Sequence, residues 1–149
     1  MTARDAEGNL YLVIIRDEGK RNRWGGSFNA LPGGKNREGE YPHEAVVREI
    51  KEETGLSTTA ALCQPRELGK VELRNKNKPD HDVYWFEIRF PLEYLRDAIQ
   101  AVAEGRIIKK EKGICVELRR APLDPREFLG SHYAQMQEVA PPLHRELFA

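Results

Sequence analysis

The 149-residue sequence predicts an α/β sandwich or α+β arrangement with a mixed sheet, and three observations carry that expectation. Short runs of β-branched and aromatic residues read as strands, and amphipathic runs of a dozen or so residues read as helices. The two kinds of run follow one another without regular βαβ alternation, so helices packed on a mixed sheet fit them better than a purely parallel doubly wound fold. At this length one domain spanning residues 1–149 is expected, with a core of useful size.

Taken in order, "NLYLVIIRD" at Asn9–Asp17 reads as a buried strand, and the polar, glycine-bearing stretch after it reads as a long loop. Only about three residues precede the turn "RDAEGN", which leaves little room for a strand ahead of it. From Pro42 to Thr54 the pattern is helical. Pro42 suits the first helical position, Gly55 suits the left-handed residue that ends a helix, and Tyr41 is a poor cap. "RELGKVELRNKNKPDHDVYWFEIRF" reads as two antiparallel strands around a polar tip, with Tyr84, Phe86, Ile88 and Phe90 alternating with Trp85, Glu87 and Arg89. A second helix is expected over "LEYLRDAIQAVAEG", closed by Gly105, then a strand at "GICVELR". A third helix over "DPREFLGSHYAQMQEV" should stop at Pro141 and Pro142.

Composition narrows the class of function. With 24 basic and 24 acidic side chains the formal net charge is zero, so global charge steers neither nucleic acid nor membrane to this protein. The two cysteines, Cys63 and Cys115, lie far apart with no neighbouring Cys or His at metal-ligand spacing, which fits free thiols in a reducing cytosol. Apolar runs such as "LYLVII" are far shorter than the ~20 residues a membrane span needs, and the N-terminal residues lack the apolar stretch of a signal peptide. A cytoplasmic location is expected.

The informative stretch is "LPGGKNREGEYPHEAVVREIKEETGL", Leu31 to Leu56. On a helical wheel with roughly 100° per residue, Glu49, Glu52 and Glu53 fall within one arc. Glu53 borders the apolar stripe of Val46, Val47 and Ile50, while Glu44 and Lys51 point the other way. Like charges at i, i+3 and i+4 repel by a few tenths of a kcal/mol per pair, so something must offset them. A hard divalent cation with oxygen ligands would do so. Neutralisation by Arg48 and Lys51 on a solvated helix face is the alternative, and the helix alone does not separate the two. The glycines of "LPGG" just before the helix suggest a turn at positive φ or a close backbone approach.

Read as a unit, Gly34, five residues, Glu40, seven residues, then "REIKEETGL" (Arg48 to Leu56) resembles the Nudix box, G-x5-E-x7-R-E-U-x-E-E-x-G-U, with every specified position filled. A chance match at nine positions is on the order of one in 10⁷. The resemblance implies an α/β/α sandwich with a mixed sheet and a loop-helix-loop catalytic motif, whose first strand is cut short here. A downstream start, or a partner chain or another segment covering that sheet edge, would account for the short strand. It further implies Mg²⁺-dependent hydrolysis, with Mn²⁺ as the alternative metal, of a nucleoside diphosphate linked to a moiety X.

Carried over by position, Glu52 and Glu53 resemble the principal metal ligands, Glu49 a further ligand or the base, and the carbonyl of Gly33 a further ligand. Arg48 resembles the residue that holds the carboxylates, together with Glu40. Outside the box, Glu111 and Glu117 are the candidates for another catalytic carboxylate. Arg23, Lys70 and Arg74, with Arg21, Lys76 and Lys78, are candidates for a phosphate-binding rim, though lysines at a hairpin tip more often only keep it soluble. Trp24, Phe28, Tyr84 and Trp85 are candidates for stacking a base, against a plain core role. The four histidines share no metal spacing and read as surface or packing residues.

The partner expected is a small nucleotide, with no membrane, no nucleic acid and a homodimer left open. X itself stays open, because the sequence lacks the "SQPWPxS" stretch of NADH-cleaving members. At the expected distance beyond the box it also lacks the proline of ADP-ribose members and the tyrosine of diadenosine-polyphosphate members. A non-catalytic nucleotide-sensing domain is the competing reading, and three aligned acids argue against it.

Overall fold

The computed structural model describes residues 1–17, 19, 29–75 and 77–148. Strand β2 (Leu10–Asp17) is its centre, flanked by β1 (Thr2–Arg4) and β5 (Ile114–Arg120), both antiparallel to it. The first six of the eight residues of β2, Leu10 to Ile15, are apolar because both faces of the sheet are covered there. Leu10, Leu12 and Ile14 belong to one buried cluster, with Phe128, Met136 and Leu147, whereas Val13 belongs to the other, with Ile50, Leu56 and Leu95. Alternate residues of a strand face opposite ways, so these clusters are the two halves of a sandwich.

On one face lie α1 (Pro42–Thr54) and α2 (Leu92–Ala103); on the other lie α3 (Gly130–Val139) and α4 (Pro141–Phe148). A hairpin of β3 (Arg66–Asn75) and β4 (Lys78–Glu87) forms a second, antiparallel sheet. It is tied to the first by a parallel contact, in which Thr2 donates its N–H to Ile88 and accepts from Phe90. The outer side of the three-residue β1 is thus paired with residues 88–90, and the parallel contact makes the arrangement a mixed one. The sandwich expected from the sequence is the fold observed.

Helix α1 spans the expected residues, Pro42 to Thr54, with no side-chain cap at Tyr41 and with Gly55 at φ 77° closing it. The third helix closes at Val139, ahead of Pro141 and Pro142 as expected, and a further helix, α4, then begins at Pro141, whose fixed φ and missing N–H suit a first helical turn. One expectation needs correction: the segment from Asp124 to Val139 is not one helix, since Pro125–Glu127 forms a separate 3₁₀ turn capped by Asp124. The expected alternation holds just beyond β4, at the buried Ile88 and Phe90, but fails within it around Glu87, which is buried while Tyr84 is 39% exposed. Glu87 tolerates burial because Thr2, Arg66 and Arg89 all donate to its carboxylate. Among the described residues no helix is long and apolar enough to cross a membrane.

Candidate active site

The turn from Leu31 into α1 and the last two turns of that helix bring the acidic residues together. Ala45 and Ile50 are buried toward the core, which fixes the rotation of α1 and leaves Glu44 and Lys51 exposed. That rotation buries Glu53 to 9% exposure, and its Oε1 accepts the backbone N–H of Gly33 at 2.7 Å. Burial raises the Glu53 carboxyl to about 7 against the Gly33 hydrogen bond, and the nearby carboxylates of Glu49, Glu111 and Glu52 push it the same way.

Glu49 lies against Gly34 so closely that a Cβ there would fall 2.2 Å from its carboxyl carbon. Only glycine leaves room for that carboxylate.

Arg48 organises the rest. Its guanidinium donates to both oxygens of Glu40 at 2.8 and 2.9 Å, to Glu49 at 2.7 Å, to Glu52 at 3.2 Å and to the carbonyl of Lys35 at 2.8 Å. These bonds tie the loop to the helix, and they hold the Glu40 carboxyl down at about 2, through Arg48 first and the Arg37 backbone N–H second. Glu52 also meets Arg37 at 3.2 Å and Lys110 at 3.4 Å. Burial alone would raise its carboxyl, but Lys110, Arg37 and Arg48 together hold it below the usual range.

Beside this cluster opens a cleft of about 1040 Å³, bounded by residues 31–36 and α1, by the β3–β4 hairpin and by α3. Gly33 and Gly34 line its acidic end, and Trp85, His132 and Gln135 line its α3 side.

The family model described as the NUDIX domain matches residues 1–137. This chain belongs to the Nudix family. A 48-residue stretch, 32% of the chain, is 58% identical to an ADP-ribose pyrophosphatase of Methanocaldococcus jannaschii. That stretch spans 26% of the relative, so the chain covers about a quarter of that protein's length. The crystal structure of a mutT/nudix family protein from Listeria innocua matches with a TM-score of 0.59 at 19% identity, over 97% of this chain and 89% of that one. At such identity the likeness speaks for the fold.

Within the Nudix box the structure brings Glu40, Arg48, Glu49, Glu52 and Glu53 to one place. Gly33 meets Glu53 through its N–H. Of the two carboxylates outside the box, Glu111 joins the cluster: its N–H donates to the carbonyl of Glu52 at 2.9 Å, and its charge acts on Glu53. Glu117 pairs in register with Ile14, so it lies on the sheet face opposite α1, and its carboxylate is held by Arg16 and Arg119.

Lys70 and Arg74 sit on the hairpin among Glu72, Asp80 and Asp82, to which they are paired, and neither lines the cleft. Arg21, Arg23, Trp24, Phe28 and Lys76 lie outside the described residues. Sequence reasoning missed Arg37, which holds an unspecified position within the box, and Lys110, His132 and Gln135, which no spacing in the sequence links to it.

No group of three acidic, His or Cys side chains among the described residues is drawn together as a ready metal cluster. The donor chemistry nonetheless suits a hard divalent cation. Every candidate ligand is an oxygen, the absence of a side chain on Gly34 lets the Glu49 carboxylate lie against the loop, and the repulsion borne by Glu53 is of the sign a cation would relieve.

Proposed function

We propose that this protein is a Mg²⁺-dependent pyrophosphohydrolase that cleaves a nucleoside diphosphate linked to a moiety X into a nucleoside monophosphate and phosphorylated X. One observation carries the reading. Glu53, buried and bound by the N–H of Gly33, stands among Glu49, Glu52 and Glu111, and Gly33 itself lines the adjoining cleft, a space large enough for a nucleotide.

In this reading Glu52 and Glu53 are the principal ligands of the cation and Glu49 a further one. When bound, Mg²⁺ would neutralise pyrophosphate oxygens and make water a stronger acid. Arg48 is a positioning residue: its bonds to Glu40, Glu49, Glu52 and Lys35 keep the carboxylates and the glycine loop in one register. Glu111 is the carboxylate outside the box that takes the proton of the attacking water. The new P–O bond forms at one phosphorus as its bond to the bridging oxygen breaks, and that oxygen leaves with the other phosphoryl group, so that one product is the nucleoside monophosphate and the other phosphorylated X. Glu117, engaged by two arginines on the far sheet face, keeps the sheet in order instead.

The name of the methanogen relative makes ADP-ribose one compound to try, and nucleoside triphosphates are another. The test is a panel of ADP-ribose, nucleoside triphosphates, nucleotide sugars and diadenosine polyphosphates incubated with Mg²⁺ in ¹⁸O-labelled water. A nucleoside monophosphate, with label in one of the two products, is expected from at least one compound. Turnover that is unchanged when EDTA replaces the metal would contradict the proposal.

A further inference from the structure

The α3 side of the cleft is lined by apolar groups such as Leu12, Leu31, Met136 and Leu147, with Trp85 among them and two polar side chains, His132 and Gln135. The last two stand three residues apart on α3 and so share one face of that helix. Both have their hydrogen-bonding sense fixed by a partner that can only donate. The indole Nε1–H of Trp85 donates to Oε1 of Gln135 at 3.0 Å, which leaves the amide Nε2 hydrogens for another partner. The backbone N–H of Leu31 donates to Nδ1 of His132 at 3.1 Å, which places the ring proton of the neutral imidazole on Nε2. Burial holds His132 below its ordinary value, so the neutral form prevails at pH 7.

Two acidic side chains that line the cleft are already engaged by cations. Asp82 is paired with Lys70 and Arg74, and Glu87 with Arg66 and Arg89. At its α3 side the cleft therefore offers donors.

We propose that this side of the cleft is a nucleobase subsite that selects 6-oxopurine nucleotides, guanine or hypoxanthine, over adenine ones. Gln135 and His132 donate to two adjacent acceptors on the base. A 6-oxopurine presents O6 and N7 side by side as acceptors, whereas adenine sets an N6 amino donor beside N7 and would oppose one of the two donors. Placement supports the assignment. The segment that binds His132 at Leu31 binds the acidic cluster at Gly33, and two residues of chain span at most about 7 Å. A ribose bridges that distance between a base and its phosphates. The subsite rests on the pyrophosphohydrolase reading only for what lies at that other end.

The test measures binding of GMP, IMP and AMP by calorimetry in EDTA, where neither metal nor turnover contributes, with the wild type, Gln135→Glu and Gln135→Met. The glutamate keeps an acceptor for Trp85 and replaces the amide donor by an acceptor; the methionine removes the polar group at similar size. The wild type is expected to bind GMP and IMP at least about tenfold more tightly than AMP. Gln135→Glu should abolish or invert that ratio, and Gln135→Met should bring it close to one. Equal or tighter binding of AMP by the wild type overturns the proposal, as does an unchanged ratio in both variants or no binding of any of the three at about 10 mM. A preference for GMP in a protein that hydrolyses nothing would leave the subsite standing and remove the hydrolase reading. Hydrolysis with adenine compounds preferred would do the reverse.

Discussion

Gly34 and Glu49 share one space: a methyl group on Gly34 would lie 2.2 Å from the carboxyl carbon of Glu49. The box glycine is thus a steric requirement of a carboxylate fifteen residues further along the chain. Because the obstacle is the far end of a flexible side chain, Gly34→Ala should displace Glu49 rather than unfold the protein. The expected result is a loss of about 10- to 100-fold in kcat/KM with a melting temperature within about 3 °C of wild type. Full activity in a folded variant would count against a role for the position of Glu49.

Arg48 holds Glu40, and the depressed Glu40 carboxyl links that bond to pH. A folded-state value of about 2, below the ordinary 4.5 of a glutamate, contributes stability that is present above pH 4.5 and is lost as pH falls toward 2. Melting curves from pH 6 to 2.5 should therefore decline more steeply for wild type than for Arg48→Ala. Arg48→Lys should not restore the wild-type curve, since an ammonium cannot reproduce the paired bonds to Glu40. Parallel curves for wild type and Arg48→Ala would contradict this.

Glu53 has the opposite sign. Its carboxyl is raised to about 7, first by burial and then by Glu49, Glu111 and Glu52, so the folded state holds a proton that the unfolded chain has lost. In EDTA, stability should fall as pH rises from 4.5 through 7, and Glu53→Gln should remove that part of the slope. The variant should melt a few degrees above wild type at pH 8 without metal. A variant less stable than wild type under those conditions would show that the charge on Glu53 is not a burden to the fold.

Glu111 and Glu117 are separated by their neighbours. Glu111→Gln should lower kcat by about 100-fold with little change in melting temperature, because its side chain is exposed beside the acidic cluster. Glu117→Gln should change melting more than kcat, because it leaves Arg16 and Arg119 without their shared carboxylate. The reverse pattern would exchange the roles assigned to the two residues.

Much of the site was legible in the sequence because it is local. Pro42 and Gly55 mark both ends of α1, and the helical period places Glu49, Glu52 and Glu53 on one side. What the wheel did not show is the burial of Glu53, which depends on α1 packing against residues far along the chain. Distance in sequence also hid that Glu111 lies beside the acidic cluster and Glu117 on the other sheet face, positions that the Glu111–Glu52 backbone bond and the strand register of β5 give. The same holds for Trp85 and Gln135, fifty residues apart. Pro141 marked the end of α3 but not the start of α4, although a proline that cannot continue one helix is well suited to begin the next. Lys70 and Arg74 read as free cations only until the acids of the same hairpin are set across from them.

The most direct test of the central claim, that the carboxylates of α1 hold a catalytic divalent cation, is a paired titration with Mg²⁺ of wild type and Glu53→Gln. Turnover of the best nucleotide and melting temperature are read on the same samples at pH 8. Mg²⁺ is expected to switch on hydrolysis and raise the melting temperature of wild type, and Glu53→Gln to lose at least about 100-fold in rate together with most of that rise. A Glu53→Gln protein that hydrolyses the nucleotide at the wild-type rate, or a wild type that binds nucleotides but turns none over at any Mg²⁺ concentration, would contradict the central claim.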